Sequence, residues 1–531
     1  MRVALSAADL ARLALTLALA ASALLPAGYL LLAALPILFD DGWLAHFAST
    51  SLPHQARTSV ALALQAAAVA FAVGAVPAVA VSRFEFRGRR LVGLLALLPL
   101  LFAPYVTAGI WTVTFSSAFF ESRYALAIQH GLACGSYVFI VFLVAGARIP
   151  NAFAELAAGL GLGPWQRLVR VHLPAYAVPA AASLMIVFAQ AIGDYAAAER
   201  LGVGTVSVGM HNLWLASQSS EVAAIVSVVM IVPSVLLVGV AAWASTSIIN
   251  QNPVPPASAS RKPLRRPAVW ALLAWSALCS LPGFWIPEAL TLRWAWLKWD
   301  MTRFAAIPGD MLNAAGTASC TTLVVAAVCA LTALLLRSGG RSHVAERVPW
   351  LFLSNYFLPS LVLALAFVML SRDGSLGAEW LGSMRDTRLL IVLSEALRFM
   401  PFAMLPVLDA LHRTPMAAIE AARAFGAGPL RARQAAFAGH LWPALWLGCA
   451  LVFMESLKEL DLSLMLQPMG YSSPALKIYA FSRFQNMDRA AVWVLITQAL
   501  MLPPLLLCWW RMSRLGALGS SRDFTETTCL R

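Results

Sequence analysis

Residues 155–174 read ELAAGLGLGPWQRLVRVHLP, and residues 420–443 read EAARAFGAGPLRARQAAFAGHLWP. Glu155 and Glu420, Gly161 and Gly426, and Pro164 and Pro429 each stand 265 positions apart. A constant offset across half a chain marks an internal repeat, and a repeat sets the architecture before any single element is assigned. Both copies are polar, arginine-bearing interruptions in a chain that is otherwise largely hydrocarbon, with Arg167 and Arg170 in the first and Arg431 and Arg433 in the second. They are the places where a membrane protein meets something in water.

The surrounding composition supports that reading. Of 531 residues, 60% are hydrophobic and only 12% charged, with a mean hydropathy of +0.76, whereas a soluble domain carries about 25% charged residues. Apolar runs of roughly 20 residues recur, the length a helix needs to cross about 30 Å of hydrocarbon. The alternation of a transmembrane barrel is missing, so helices, which satisfy their own backbone, must span. The sequence therefore predicts an all-α polytopic membrane protein of about 12 transmembrane helices in two homologous six-helix halves. Spans are expected near residues 13–38, 59–81, 91–115, 125–147, 176–196 and 222–247, and again near 268–287, 311–336, 349–370, 388–411, 441–462 and 490–510. The first half is residues 1–249 and the second 268–531. Between them residues 250–267, NQNPVPPASASRKPLRRP, have the Pro, Ser and Arg content of an exposed linker.

The net charge of +13 is spread over short loops rather than basic patches interleaved with aromatics, which argues against nucleic acid and for orientation by the positive-inside rule. Lys and Arg concentrate on alternate loops, the set that includes both repeated segments, the linker and both termini. Both termini and both loops (about 149–175 and 413–440) are thereby expected on the cytoplasmic side, and the two halves run parallel rather than inverted. The seven cysteines show no metal-ligand spacing and read as free thiols in apolar runs. No metal site and no catalytic constellation is expected; His54, His130 and His211 are isolated in sequence and read as packing or loop residues.

Each repeated loop opens like a helix start. Asn151 and Thr414 can cap, and Pro415 suits a first turn. Small residues follow, Ala157 and Ala158 in one copy and Ala421 and Ala422 in the other, then Gly161 or Gly426, which permits positive φ. The expected form is a short helix, a Gly-Pro bend and a second, basic helix at the membrane surface. A plain interfacial helix pair would look similar in one copy, but two copies in register favour docking.

This pattern, Glu-Ala-Ala, three residues, Gly, then Leu-Pro about a dozen further on, resembles the cytoplasmic loop of bacterial ABC importer permeases of the type I kind. The resemblance implies that Glu155, Ala157, Gly161, Leu173 and Pro174, and Glu420, Ala421, Ala422 and Gly426, form coupling helices that dock on two copies of an ATP-binding subunit. A periplasmic solute-binding protein would deliver cargo, ATP would be used by the partner subunits, and this chain would bind no cofactor and catalyse no reaction. Leu156 replaces the motif's first Ala, and Ala438-Gly439 stands where the second copy should have Leu-Pro. Fusion of two halves, with residues 189–202 (AQAIGDYAAAERLG) and 453–481 (FMESLKELDLSLMLQPMGYSSPALKIYAF), is most similar to the ferric-iron permease branch. Thiamine, phosphonate, polyamine and sulfate permeases are the alternative within the family, and an ion-driven secondary transporter the alternative outside it.

Charge also falls inside the apolar segments. Asp194 closes the fifth span, and Glu455, Lys458, Glu459 and Asp461 cluster at the end of the eleventh; Asp194 and Glu459 are again 265 apart. Charge at membrane depth faces a cavity or a partner, so Asp194, Glu455, Lys458 and Glu459 are candidates for the translocation path. The competing reading is a structural ion pair of Lys458 with Glu455 or Glu459. Arg398, in the tenth span, is expected to pair with Glu395 or Asp409 or to face the bundle interior.

Overall fold

The structure, a computed structural model, describes residues 7–38, 42, 48–115, 117–146, 151–217, 227, 231, 239, 262–299, 304–337, 351–372, 375, 377–413, 416–428, 431–432 and 441–514. The expected span at 222–247, linker residues 250–261 and loop residues 433–440 lie outside the described residues, apart from single positions. In chain order the elements are α1 (Ala7–Leu38), α2 (Leu52–Arg83), β1 (Phe84–Glu85), α3 (Arg89–Leu97), α4 (Pro104–Thr114), α5 (Arg123–Gly146), α6 (Asn151–Gly159), α7 (Pro164–Arg167), α8 (Leu173–Gly193), α9 (Ala196–Arg200) and α10 (Val206–Ser217). There follow β2 (Lys262–Pro263), α11 (Arg266–Ser280), α12 (Ile286–Leu297), α13 (Ile307–Arg337), α14 (Leu351–Phe357), α15 (Ser360–Leu370), α16 (Ala378–Leu381) and α17 (Arg388–Arg413). The chain continues through α18 (Met416–Ala424), α19 (Leu441–Lys458), α20 (Asp461–Leu466), α21 (Pro474–Arg483) and α22 (Met487–Arg514). The protein is an all-α polytopic membrane protein: among the described residues nine helices are long and apolar enough to cross a bilayer, or up to eleven if each bent pair is one span.

Two of the expected straight spans are broken. Between residues 89–101 and 104–114 the chain bends by 83°, and between 351–357 and 360–370 by 110°. Proline is the cause in both. Ala103 is extended ahead of Pro104, the conformation a following proline imposes, and Pro359 is itself extended ahead of Ser360. The eleventh span also stops at Lys458, short of the expected 462, and the seventh runs on as α11 and α12, joined by a π turn at Leu281–Trp285, to Leu297.

The compact units differ from the sequence halves. One unit comprises residues 1–47, 210–238 and 304–476, the other 48–209, 239–303 and 477–531. Each takes the first apolar helix of the other half's sequence. In the first unit α1 buries a narrow stripe, Leu19, Ala23, Leu30 and Ala34; Leu19 and Ala23 pack into a core with Val325, Cys329, Phe399, Ala403 and Val452. The carbonyl of Ala23 accepts a hydrogen bond from Asn355 Nδ2 at 2.8 Å. In the second unit α11 packs against α2 and α3, and α12 against α4 and α22. One apolar stripe on a helix otherwise suited to lipid tells that it packs, but not on what.

Close approach of backbones organises both units. In α5, Gly131 and Gly135 form a Gly-x-x-x-Gly pair, and α2 meets it with Ala66, Ala70 and Gly74 at the same spacing. A Cβ on Gly74 would fall 2.2 Å from the Gly135 carbonyl oxygen, and one on Gly131 2.4 Å from Val69 Cβ. Helices in lipid associate by such packing because no hydrophobic effect separates them from hydrocarbon tails. In the other unit Gly448 plays the same part, its missing Cβ 2.4 Å from Ala403 Cα. The six described cysteines are free thiols.

Gly74→Val and Gly448→Val are each expected to reduce the yield of folded, monodisperse protein severalfold in fluorescence-detected size exclusion. Gly28→Val, where an added Cβ meets nothing within 4 Å, should leave it unchanged.

Candidate functional site

Over residues 151–163 and 416–428 the repeated loops take the same local form. Helices α6 and α18 each have nine residues, and their first and last positions are 265 apart. Both end in a Schellman motif. The Leu162 amide bonds to the Ala157 carbonyl at 3.0 Å and the Gly161 amide to Ala158 at 3.0 Å; the Ala427 amide bonds to Ala422 at 3.1 Å and the Gly426 amide to Arg423 at 2.9 Å. Gly161 and Gly426 have φ of +77° and +84°, and nothing lies within 4 Å of a Cβ built on either. Backbone conformation, not lack of room, requires glycine there.

This cap shapes what the loops present. Leu160 and Phe425, the residues just before each glycine and also 265 apart, are 82% and 92% exposed. Glu155 and Glu420 are exposed one helical turn earlier, as is Ala421, whereas Ala157 is buried and Ala422 half-buried. Each loop thus offers a carboxylate, a small-residue surface and an apolar knob. Sequence reading picked out the carboxylate, the alanines and the glycine but passed over Leu160 and Phe425; the signal lay in two large apolar residues at matching positions of a polar loop.

The first loop continues into the bilayer segment without a gap. After Gly163, α7 carries exposed Trp165, and a π turn, Leu168–His172, leads into α8. Pro174, exposed, follows the π turn within an unbroken helical run, Pro164–Gly193, and withholds one amide from it. Two residues on, buried Tyr176 stacks on Phe142 of α5, centroids 5.4 Å apart, and its hydroxyl accepts from Arg83 Nε of α2 at 3.3 Å.

At the opposite end of α8, 21 residues and about 30 Å away, sits Asp194. Its Oδ1 accepts from the Ala197 amide at 2.8 Å, and its Oδ2 lies 3.0 Å from His130 Nε2 of α5. In the other unit Glu459 Oε1 accepts from the Leu462 amide at 3.1 Å, and 462 is again 265 beyond 197. Each carboxylate therefore caps the short helix, α9 or α20, that follows its span. The ionic partner of Glu459 is Arg398, Nε to Oε2 3.9 Å. Arg398 faces the bundle interior, 2% exposed, as one of the expected alternatives had it, and its carboxylate partner is Glu459. Its Nη1 donates to the Leu358 carbonyl at 2.6 Å, at the 110° bend, and its guanidinium lies over the Tyr356 ring. A broken helix strands carbonyls that hydrocarbon cannot satisfy, and a buried guanidinium supplies the donor.

Of the remaining charges, Lys458 pairs with Glu455, and buried Glu395 accepts from Thr321 Oγ1 at 3.0 Å and from Ser456. His130, which sequence spacing made look incidental, is buried and bonded to Asp194 because the fold brings together residues 64 positions apart. Beyond Asp194 the hydroxyl of Tyr479 donates to Glu199 and lies 3.4 Å from the hydroxyl of Tyr195. Burial pushes the Tyr195 hydroxyl up to about 12 and that of Tyr479 upward as well, so both stay protonated donors at physiological pH. Arg483 Nη2 stands 3.6 Å from Glu199. Among the described residues no group of three or more His, Cys, Asp or Glu is placed to hold a metal ion.

No curated protein matches the chain. Residues 30–251 match the family model described as binding-protein-dependent transport system inner membrane component. The matched stretch starts within α1 and takes in the whole first loop, and the similarity supports an inner-membrane permease of an ABC importer, a kind of protein that works with ATP-binding and solute-binding partners.

Proposed function

We propose that the chain is a fused, two-half permease, with α6 and α18 as coupling helices on which two ATP-binding subunits dock, and with ferric iron as cargo. The loops and both termini face the cytoplasm, and a solute-binding protein delivers cargo from the other side. The observation that carries this reading is the pair of loops: two nine-residue helices with the same cap, the same exposed glutamate and the same exposed apolar knob. Docking needs that combination, because an apolar anchor supplies affinity and a rim charge supplies register. ATP binding moves the loops, and helices that continue from them carry the motion to the path.

Asp194 and Glu459 are the carboxylates of that path. Ferric iron, a hard cation, favours carboxylate oxygen. Both groups are occupied in the structure, by His130 and the Ala197 amide and by Arg398 and the Leu462 amide, so a passing cation meets them by displacing those partners. Thiamine, phosphonate, polyamine or sulfate would fit the same architecture with the same loops.

Leu160→Asp and Phe425→Asp are each expected to cut co-purification of the ATP-binding subunits at least tenfold while the permease still inserts. Gly161→Pro or Glu420→Lys should abolish transport and substrate-stimulated ATP hydrolysis; survival of both activities in both variants would remove the docking role. Uptake of radiolabelled ferric iron, with thiamine and a phosphonate alongside, tests the cargo. Loss of iron uptake alone on deletion supports iron, and loss of another solute alone replaces it. Asp194→Asn and Glu459→Gln should lower uptake more than tenfold with folded yield retained. A parallel fall in folded yield would instead make both carboxylates structural caps.

A further inference from the structure

The end of the inter-half linker is stitched to the first docking loop. As α2 ends, Phe84 turns extended, and β1 pairs in parallel with β2, Phe84 opposite Lys262 and Glu85 opposite Pro263. The Leu264 amide donates to the Glu85 carbonyl at 3.1 Å. β1 is itself held from behind: Arg89, buried, donates to the Val81 carbonyl at 2.7 Å and approaches Glu85 at 3.5 Å, with Gly88 at φ +91° making the turn between them. On this fixed platform Lys262 Nζ reaches Glu155 Oε1 of α6 at 3.5 Å, and both side chains remain more than half exposed.

We propose that the end of the linker, from Lys262 to Arg265, is a strap that belongs to the first docking surface, with Lys262 as the residue that positions Glu155 for the ATP-binding subunit. The inference rests on the docking role given to α6 above. Backbone pairing sets the place of Lys262, since β2 cannot slide along β1 without breaking its register. The lysine then restricts the rotamers of an exposed glutamate that would otherwise be free, so docking orders one side chain fewer. Because both partners stay solvated, the link is weak and salt-sensitive, suited to tuning docking rather than to holding the fold. The strap enters the second half as α11 immediately after β2, so the fusion of the halves itself brings a positioning group to the first loop.

The test uses the full-length permease purified with the ATP-binding subunits it captures from its own membrane, with capture quantified at low salt. Lys262→Glu is expected to lower capture about two- to fivefold, with the loss fading in 0.5 M salt, and Lys262→Arg should retain capture. In a Glu155→Gln background Lys262→Glu should add no further loss, whereas in a Glu420→Lys background its effect should multiply independently. An unaltered Lys262→Glu variant, or a loss just as large in the Glu155→Gln background, overturns the strap while leaving docking in place, provided Glu155→Gln lowers capture. If neither Glu155→Gln nor Glu420→Lys alters capture, the docking role falls and the strap falls with it.

Discussion

In hydrocarbon a backbone amide or carbonyl without a partner costs several kcal/mol, and the polar side chains of this protein are arranged around the places where helices break. The bend at Leu358 frees a carbonyl, which Arg398 takes. The stops at Gly193 and Lys458 free the amides of the short helices that follow, and Asp194 and Glu459 take those of Ala197 and Leu462. Charges brought in for this purpose then need partners of their own, which explains His130 beside Asp194 and Glu459 beside Arg398. One constraint thus accounts for Arg398, Asp194, Glu459 and His130.

The same solvent explains the glycines. Apolar helices gain nothing from leaving lipid for one another, so they must touch over a large area at short range, and Gly131, Gly135 and Gly74 allow α2 and α5 to do so. The borrowed helices are the complement of this rule. Helix α1 has a narrow buried stripe and an otherwise apolar surface, so it serves as a lipid-facing strut around a tighter set, α13, α17 and α19, whose members carry the buried polar groups.

Hydropathy made the helical class legible, because 20-residue apolar runs admit little else, and the fixed offset of 265 located both loops to the residue. Gly161 and Gly426 adopt the positive φ that their place after a small-residue helix suggested. What hydropathy could not reveal is where a span bends: the windows over 91–115 and 349–370 average across Pro104 and Pro359, and the prolines had to be read as breaks, not as tolerated helix residues. Nor could sequence spacing pair His130 with Asp194 or Arg398 with Glu459, since 64 and 61 positions separate partners that only tertiary packing brings together. Leu160 and Phe425 stand at matching positions of a polar loop, but only their exposure separates an outward knob from a residue that packs inward.

The clamping of α8 bears on how a loop movement could act at a distance. Pro179 lies inside α8 and removes one of its amide hydrogen bonds, so the helix by itself would bend there under load. Yet α8 is fastened to the antiparallel α5 at both ends, Tyr176 against Phe142 near one and Asp194 against His130 at the other, and Arg83 of α2 adds a third attachment at Tyr176. A pair tied at two points so far apart resists bending about Pro179, because either tie would have to stretch. The yielding place is then outside the clamp, in the π turn Leu168–His172, where irregular hydrogen bonding precedes the first tie.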